Sequence, residues 1–224
     1  MNIKIFNRLT EMLSTSPQLM ADNTLLRHAV IANFDVDLPA IEFTNINDIC
    51  KQIDTAVLER YFSKVWQPKT KSYKYSGLAI IDEVNSLRPR RVADIGCGYN
   101  EFKGKIDNLI GIDPYNTRAD ICSDIISYTP SEKFDVVICL GSVNFGTVDK
   151  IYNELKHAVE ITHKNGLLFF RVNPGEQHAA VESRWIDFFK WTPGFIINTA
   201  KQLKCDILQL RQDGDRFYFV LKRQ

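Results

Sequence analysis

The sequence predicts an α/β fold: a doubly wound, mostly parallel seven-stranded sheet with a C-terminal antiparallel hairpin and a helical N-terminal extension. Three observations lead there. From Arg91 onward, short continuous apolar runs alternate with segments of helical period, as expected for strands buried on both faces and joined by helices. The first run opens into a glycine turn, "DIGCG", and the second ends on Asp113. The last two apolar segments flank Asp213 and Gly214, a strong hairpin signal.

The bulk numbers agree with a conventional globular chain. Its 224 residues suffice for one substantial core, and the expected division is a helical cap over residues 1–70 and an α/β domain over 71–224. Apolar residues make up 45% and charged residues 25%, which speaks against disorder or a fibrous repeat. A net charge of +1 lacks the global field of many nucleic-acid binders, so nucleic acid is not the favoured partner. No apolar stretch approaches the ~18 residues of a membrane span, and "MNIKIFNRLTEML" is amphipathic, so a cytoplasmic location without membrane association is expected. The five cysteines are dispersed and form no C-x-x-C pair, so neither a metal site nor a disulfide framework is read.

The elements follow in order. Ile5, Leu9 and Met12 to Leu13 predict a short helix, and "SPQLMADNTLLRHAVIANF" a second. In "NDICKQIDTAVLERYFSKVW" apolar residues recur every four positions from Ile49 to Val65, with Asn47 as N-cap. A polar hinge, "QPKTKSYKYSG", precedes a helix marked by Leu78, Ile81, Val84 and Leu87 and stopped by Pro89. Strands are then expected in "RVADIG", "NLIGID", "ADICSD", "FDVVICLG" and "GLLFFRVN". A helix built on Ile151, Leu155, Ala158 and Val159 separates the last two and should stop at Asn165 and Gly166. "EQHAAVESRWIDFFKW" and "GFIINTAKQLK" read as helical, and the hairpin closes the sheet.

In a doubly wound sheet, ligands sit beyond the carboxyl ends of the strands where strand order reverses. Here that position is the turn carrying Gly96 and Gly98, whose lack of a Cβ permits unusual backbone angles and close approach of a ligand. Asp113, at the tip of the neighbouring strand, is placed for the two hydroxyls of a ribose. A pyrophosphate binder wants G-x-G-x-x-G. This chain has Glu101 at the third glycine and Asp94 just before the loop, so anionic phosphates are disfavoured and a ligand with an ammonium and a sulfonium is favoured.

On these residues the sequence resembles the class I S-adenosylmethionine-dependent methyltransferases, with their Rossmann-like sheet. The matching stretches are "VADIGCG", "LIGIDP", "CSDI", "FDVVICLGS" and the terminal hairpin, between about Ser76 and Arg223. Some likeness to small methyltransferase-like proteins of tailed bacteriophages is also noted. The resemblance implies S-adenosylmethionine as cofactor. Gly96, Cys97 and Gly98 would pass along its methionine part, with Asp94 ordering the loop or the ammonium. Asp113 would take the ribose hydroxyls beside Pro114, and Asp124 the adenine amino group, with Ile125 near the ring. Leu140 and Gly141 would close the site, and Tyr75 or Ser76 would reach it from the helix before the first strand. Two departures stand out: the first crossover helix must be very short or irregular, and Asn100 replaces a further loop glycine, a substitution that asparagine's tolerance of left-handed angles makes acceptable.

Methyl transfer is an in-line displacement in which holding the acceptor and excluding water supply much of the acceleration. The stretch after the fourth strand reads "GSVNFG", without the N/D-P-P-Y/F tetrad of amine-methylating relatives, and no Pro-Cys nucleophile is present, so DNA base methylation is disfavoured. Asn144 is the candidate acceptor contact, and Glu176 and His178 are candidate general bases. The rival expectations are a methyltransferase-like module kept for interaction or assembly, and a nicotinamide oxidoreductase.

Overall fold

The computed structural model describes residues 1–67, 70–174 and 181–224. They form two units, Met1–Trp66 with His178–Asp187, and Gln67–Gln177 with Phe188–Gln224.

The first unit is helical. Helix α1 (Ile3–Thr15) starts at Asn2, whose side chain accepts from the N–H of Lys4 and Ile5, and buries Ile5, Leu9, Met12 and Leu13 along one stripe. A single 3-10 turn, Pro17–Met20, leads to α2 (Asn23–Phe34), capped by Asp22. Helix α3 (Ile46–Arg60) buries Ile49, Ile53 and Val57. Its N-cap is Asn45 and not Asn47, because Asn45 is the extended residue and its Oδ1 accepts the N–H of Asp48 at 3.0 Å, while Asn47 already lies inside the first turn. Trp185 joins this unit by donating its indole N–H to the Asn33 carbonyl at 3.2 Å and setting its ring 4.9 Å from that of Phe34.

The second unit carries the sheet. Helix α4 (Ile80–Ser86) precedes β1 (Val92–Ile95) and β2 (Leu109–Ile112), then β3 (Phe134–Leu140), α5 (Val148–Glu160) and β4 (Thr162–Val172). Helix α6 (Pro193–Gln202) leads into β5 (Cys205–Asp213) and β6 (Arg216–Arg223). The strand order is β2-β1-β3-β4-β6-β5. The first four are parallel, and the hairpin adds β6 and β5 antiparallel, as the sequence predicts.

There are six strands among the described residues, not seven. The "ADICSD" stretch contributes one isolated bridge, Ile121 to Ile112. Its apolar residues are interrupted by Asp120, whose carboxylate accepts the N–H of Gly111 at 2.7 Å and the Lys103 ammonium at 2.8 Å. A side chain thus occupies β2's edge where a ladder would run.

Strand alternation divides the core. Ala93, Val137, Cys139, Leu168, Phe170 and Phe219 meet Ile151, Leu155 and Ala158 of α5 and Ile196 and Ala200 of α6, with Trp191. On the other face Val92, Val136, Ile138, Phe169 and Val220 meet Ile80 and Val84 of α4. The first crossover contains no helix. Phe102 and Ile106 are buried against that second cluster instead, supplying the apolar cover a helix would give.

Two further expectations are corrected. Helix α5 ends at Glu160, and Asn165 and Gly166 lie inside β4, where the register to β3 shifts between Phe134–Thr162 and Val136–Leu167. Asn165 has φ 65°, and a Cβ on Gly166 would lie 2.8 Å from the Asp135 carbonyl, so this pair builds a bulge and not a helix stop. His163 accordingly sits on a strand. In "EQHAAVESRWIDFFKW", residues 175–180 lie outside the described residues. The rest holds one 3-10 turn, Val181–Ser183, and bridges from Phe188 to Phe145 and Lys190 to Pro174, with no α-helix. No described helix is long and apolar enough to cross a membrane.

Candidate functional site

Of the predicted site residues, Asp94, Gly96, Cys97, Gly98, Asp113, Leu140 and Gly141 lie at the carboxyl ends of β1, β2 and β3. Gly96, Gly98 and Asn100 all take left-handed angles, φ 68°, 54° and 56°. The N–H groups of Gly96 and Cys97 donate to the Ile112 carbonyl at 2.7 and 3.2 Å, which folds the turn over the end of β2. Asn100 covers the missing side chain of Gly111, where a Cβ would lie 2.4 Å from Asn100 Oδ1. The asparagine thus serves the left-handed position that the sequence assigned to it.

Asp113 is buried, and its carboxylate accepts three backbone N–H bonds: Gly98 at 2.9 Å, Tyr115 at 2.8 Å and Asn116 at 2.9 Å. It therefore knits the glycine turn to its own strand end, leaving roughly one of a carboxylate's four lone pairs for a ligand. Gly96 also has a packing reason: a Cβ there would lie 2.2 Å from Ser142 Cβ.

Asp94 is 3% exposed. Burial, then the like charge of Asp113, push its pKa up to about 7 against the attraction of Arg171. Cys97 follows the same field: burial first, then Asp94 and Asp113, drive its thiol well above the ordinary range, so it is no nucleophile.

Sequence reasoning missed three groups. Arg171, on β4, is buried; Nη2 donates to the Leu140 carbonyl at 2.9 Å, and its guanidinium carbon lies 3.9 Å from the centre of the Tyr73 ring. A charge inside the apolar run "LLFFRV" was the available signal. Asp213 holds the segment before α4: it accepts from the N–H of Lys74, Tyr75 and Ser76 and from Ser76 Oγ at 2.7 to 3.1 Å. Burial alone would raise its pKa, but these bonds, led by the Ser76 hydroxyl, hold it below the ordinary range. Glu154, on α5, is buried with Oε2 unpartnered among the described residues, and burial raises its pKa to about 7.

The remaining candidates divide. Leu140 ends β3 and Gly141 follows it at φ 105°. Tyr75 is placed by Asp213, its ring between Lys74 and Arg211. Pro114 follows Asp113, and its carbonyl faces Cys122 Sγ at 3.6 Å. Asp124 caps its own turn, accepting from the N–H of Ile126 and Ser127 and from Ser127 Oγ, and Ile125 is a core residue. Asn144 is buried, its Oδ1 accepting the N–H of Asn173 at 2.8 Å. Glu176 and His178 lie outside the described residues.

No family model and no curated protein matches the sequence. Solved structures do. The N-methyltransferase NodS from Bradyrhizobium japonicum, in complex with S-adenosyl-L-homocysteine, superposes with a TM-score of 0.54 at 14% identity, covering 76% of this chain and 97% of that one. The fold is that of the class I S-adenosylmethionine-dependent methyltransferases. The 1,6-didemethyltoxoflavin N1-methyltransferase from Burkholderia thailandensis gives 0.58 at 9% identity, over 84% and 95% of the chains. An S-adenosylmethionine-dependent methyltransferase from Clostridium acetobutylicum gives 0.52 at 14%, over 78% and 99%. At such identities the likeness concerns the fold.

Proposed function

We propose that the protein binds S-adenosylmethionine at the ends of β1 and β2 and transfers its methyl group to an acceptor held near β3. The observation that carries this reading is Asp94: a buried carboxyl, destabilised as an anion by burial and by Asp113, beside a left-handed glycine turn. A carboxylate buried in this way is costly, and a cationic ligand offsets that cost. Two carboxylates, Asp94 and Asp113, at the ligand end of the sheet repel the pyrophosphate of a nicotinamide dinucleotide.

The residues present fit this cofactor. Asp94 would face its positive charge, Asp113 would use its remaining lone pair for a ribose hydroxyl, and the Gly96–Gly98 turn would lie along the amino-acid part. When bound, S-adenosylmethionine supplies an electrophilic methyl on a sulfonium. The chain's contribution is orientation: Asp113 fixes the turn through Gly98, Asp213 fixes Tyr75 and Ser76, and Asn144 sits after β3 on the acceptor side. Asp124 remains the expected partner of the adenine amino group through its exposed oxygens.

A second reading, a methyltransferase-like module used for interaction or assembly, is favoured by Ser142, which closes on Gly96 where a ligand would approach. Thermal melting with S-adenosylmethionine and S-adenosylhomocysteine separates the two. A ligand at a hundredfold excess over its Kd stabilises by about 2.7 kcal/mol, a rise of roughly 5–10 °C for a chain of this size. No shift with either compound at millimolar concentration favours the module.

A further inference from the structure

Gly141 follows β3 in a conformation open to close approach, φ 105°. Apart from its chain neighbours, a Cβ there would find two atoms of the described residues within 4 Å: Arg171 Nη2 at 3.7 Å and Asn144 Nδ2 at 4.0 Å. Both are hydrogen-bond donors, and both side chains are more than nine-tenths buried. The Asn144 amide cannot be turned around, because its oxygen is fixed by the N–H of Asn173 at 2.8 Å. Its NH2 group therefore points at the space over Gly141, where it has no partner among the described residues.

Arg171 adds the charge. Of a guanidinium's five N–H donors, hydrogen bonds to the described residues use two, one to the Leu140 carbonyl at 2.9 Å and one to Ser76 Oγ at 3.5 Å. No carboxylate of the described residues lies within ion-pair distance of it, and Asp213 and Asp94 attract it only from farther away. Tyr73 covers one face of the guanidinium. A buried cation with no carboxylate in ion-pair contact among the described residues, converging with a buried orphan donor on a space bounded by a glycine, is suited to an anion.

We propose that Arg171 and Asn144 form a seat over Gly141 for a carboxylate group of the methyl acceptor. The inference rests on the methyltransferase reading for the word acceptor, and on geometry alone for the anion. The sheet separates the two ends of the site. Asp94 and Asp113 stand on β1 and β2, whereas the two donors belong to the ends of β3 and β4, and neighbouring strands lie about 4.8 Å apart. The cofactor's cationic and ribose parts are thereby kept to one side and the acceptor's anion to the other. The site so built selects acidic acceptors and leaves a neutral or cationic one facing an unpaired guanidinium.

The probe is acetate, compared with its neutral isostere acetamide, titrated by NMR into the protein saturated with S-adenosylhomocysteine. Two variants accompany it: Arg171→Met, and Asn144→Asp, which keeps the oxygen that Asn173 uses and replaces the orphan donor with a negative oxygen. Melting temperatures confirm that each is folded. Wild type is expected to bind acetate at least tenfold more tightly than acetamide. Both variants should lose that preference while holding S-adenosylhomocysteine within threefold of wild type. Equal binding of acetate and acetamide overturns the seat. So does a variant that keeps acetate but loses the preference for S-adenosylhomocysteine over 5′-methylthioadenosine, since the seat would then serve the cofactor's own carboxylate. If no adenosyl compound binds, the methyltransferase reading fails separately, and acetate discrimination lost in both variants still establishes the anion site.

Discussion

Asp94→Asn tests the electrostatics of the site directly. In the unfolded chain Asp94 gives up its proton near pH 3.8, but in the folded protein it keeps it until about pH 7. Between those values the native state holds the extra proton, so stability falls as pH rises, by up to about 1.4 kcal/mol per pH unit. Below about pH 4 both states are protonated and the penalty vanishes; above about pH 7 it is complete, on the order of 4 kcal/mol. The asparagine does not titrate. Its amide would also lack partners, so stability at a single pH is a poor measure, whereas the change with pH isolates the charge. Urea unfolding followed by circular dichroism is expected to show the variant gaining on wild type by about 2–3 kcal/mol from pH 5 to pH 8, then levelling. Glu154, raised to about 7 in the same way, titrates in both proteins and cancels. A gap that stays flat with pH would refute the claim that burial and Asp113 outweigh the attraction of Arg171 at Asp94.

Two other perturbations probe the frame around it. Gly96→Ala sets a Cβ 2.2 Å from Ser142 Cβ at φ 68°, which should cost about 2–4 kcal/mol. Adding Ser142→Gly should recover part of that loss, and strict additivity in a double-mutant cycle by urea unfolding would contradict the contact. Asp213→Asn leaves one oxygen to serve four donors and should cost about 2–4 kcal/mol. Hydrogen exchange at the amides of Lys74, Tyr75 and Ser76 should accelerate, and unchanged protection there would show that the segment is held by something else.

The sheet was legible because buried parallel strands are uninterrupted apolar runs, and "VADI", "LIGI" and "DVVICL" leave little else to be made of them. The missing strand failed for the converse reason: Asp120 breaks the run and uses its side chain where backbone pairing was expected. Asn165 and Gly166 misled because a left-handed residue followed by glycine ends a helix and makes a bulge with the same chemistry. The site was half readable. Local sequence announces the glycine turn and Asp113. That Asp113's lone pairs are mostly engaged by backbone, and that Arg171 and Asn144 converge on Gly141, depends on contacts between strands that no single stretch of sequence contains.

Asp213 and Ser76 are joined across 137 positions. At about 5–20 residues per second of synthesis, the segment before α4 waits on the order of ten seconds on the ribosome before its anchor exists. Through that interval Arg171 emerges while the hydroxyl and ring that later sit against it are still unanchored. The crevice is thus finished from its last-made edge, and a nascent chain stalled before the hairpin would present the glycine turn with one wall still missing.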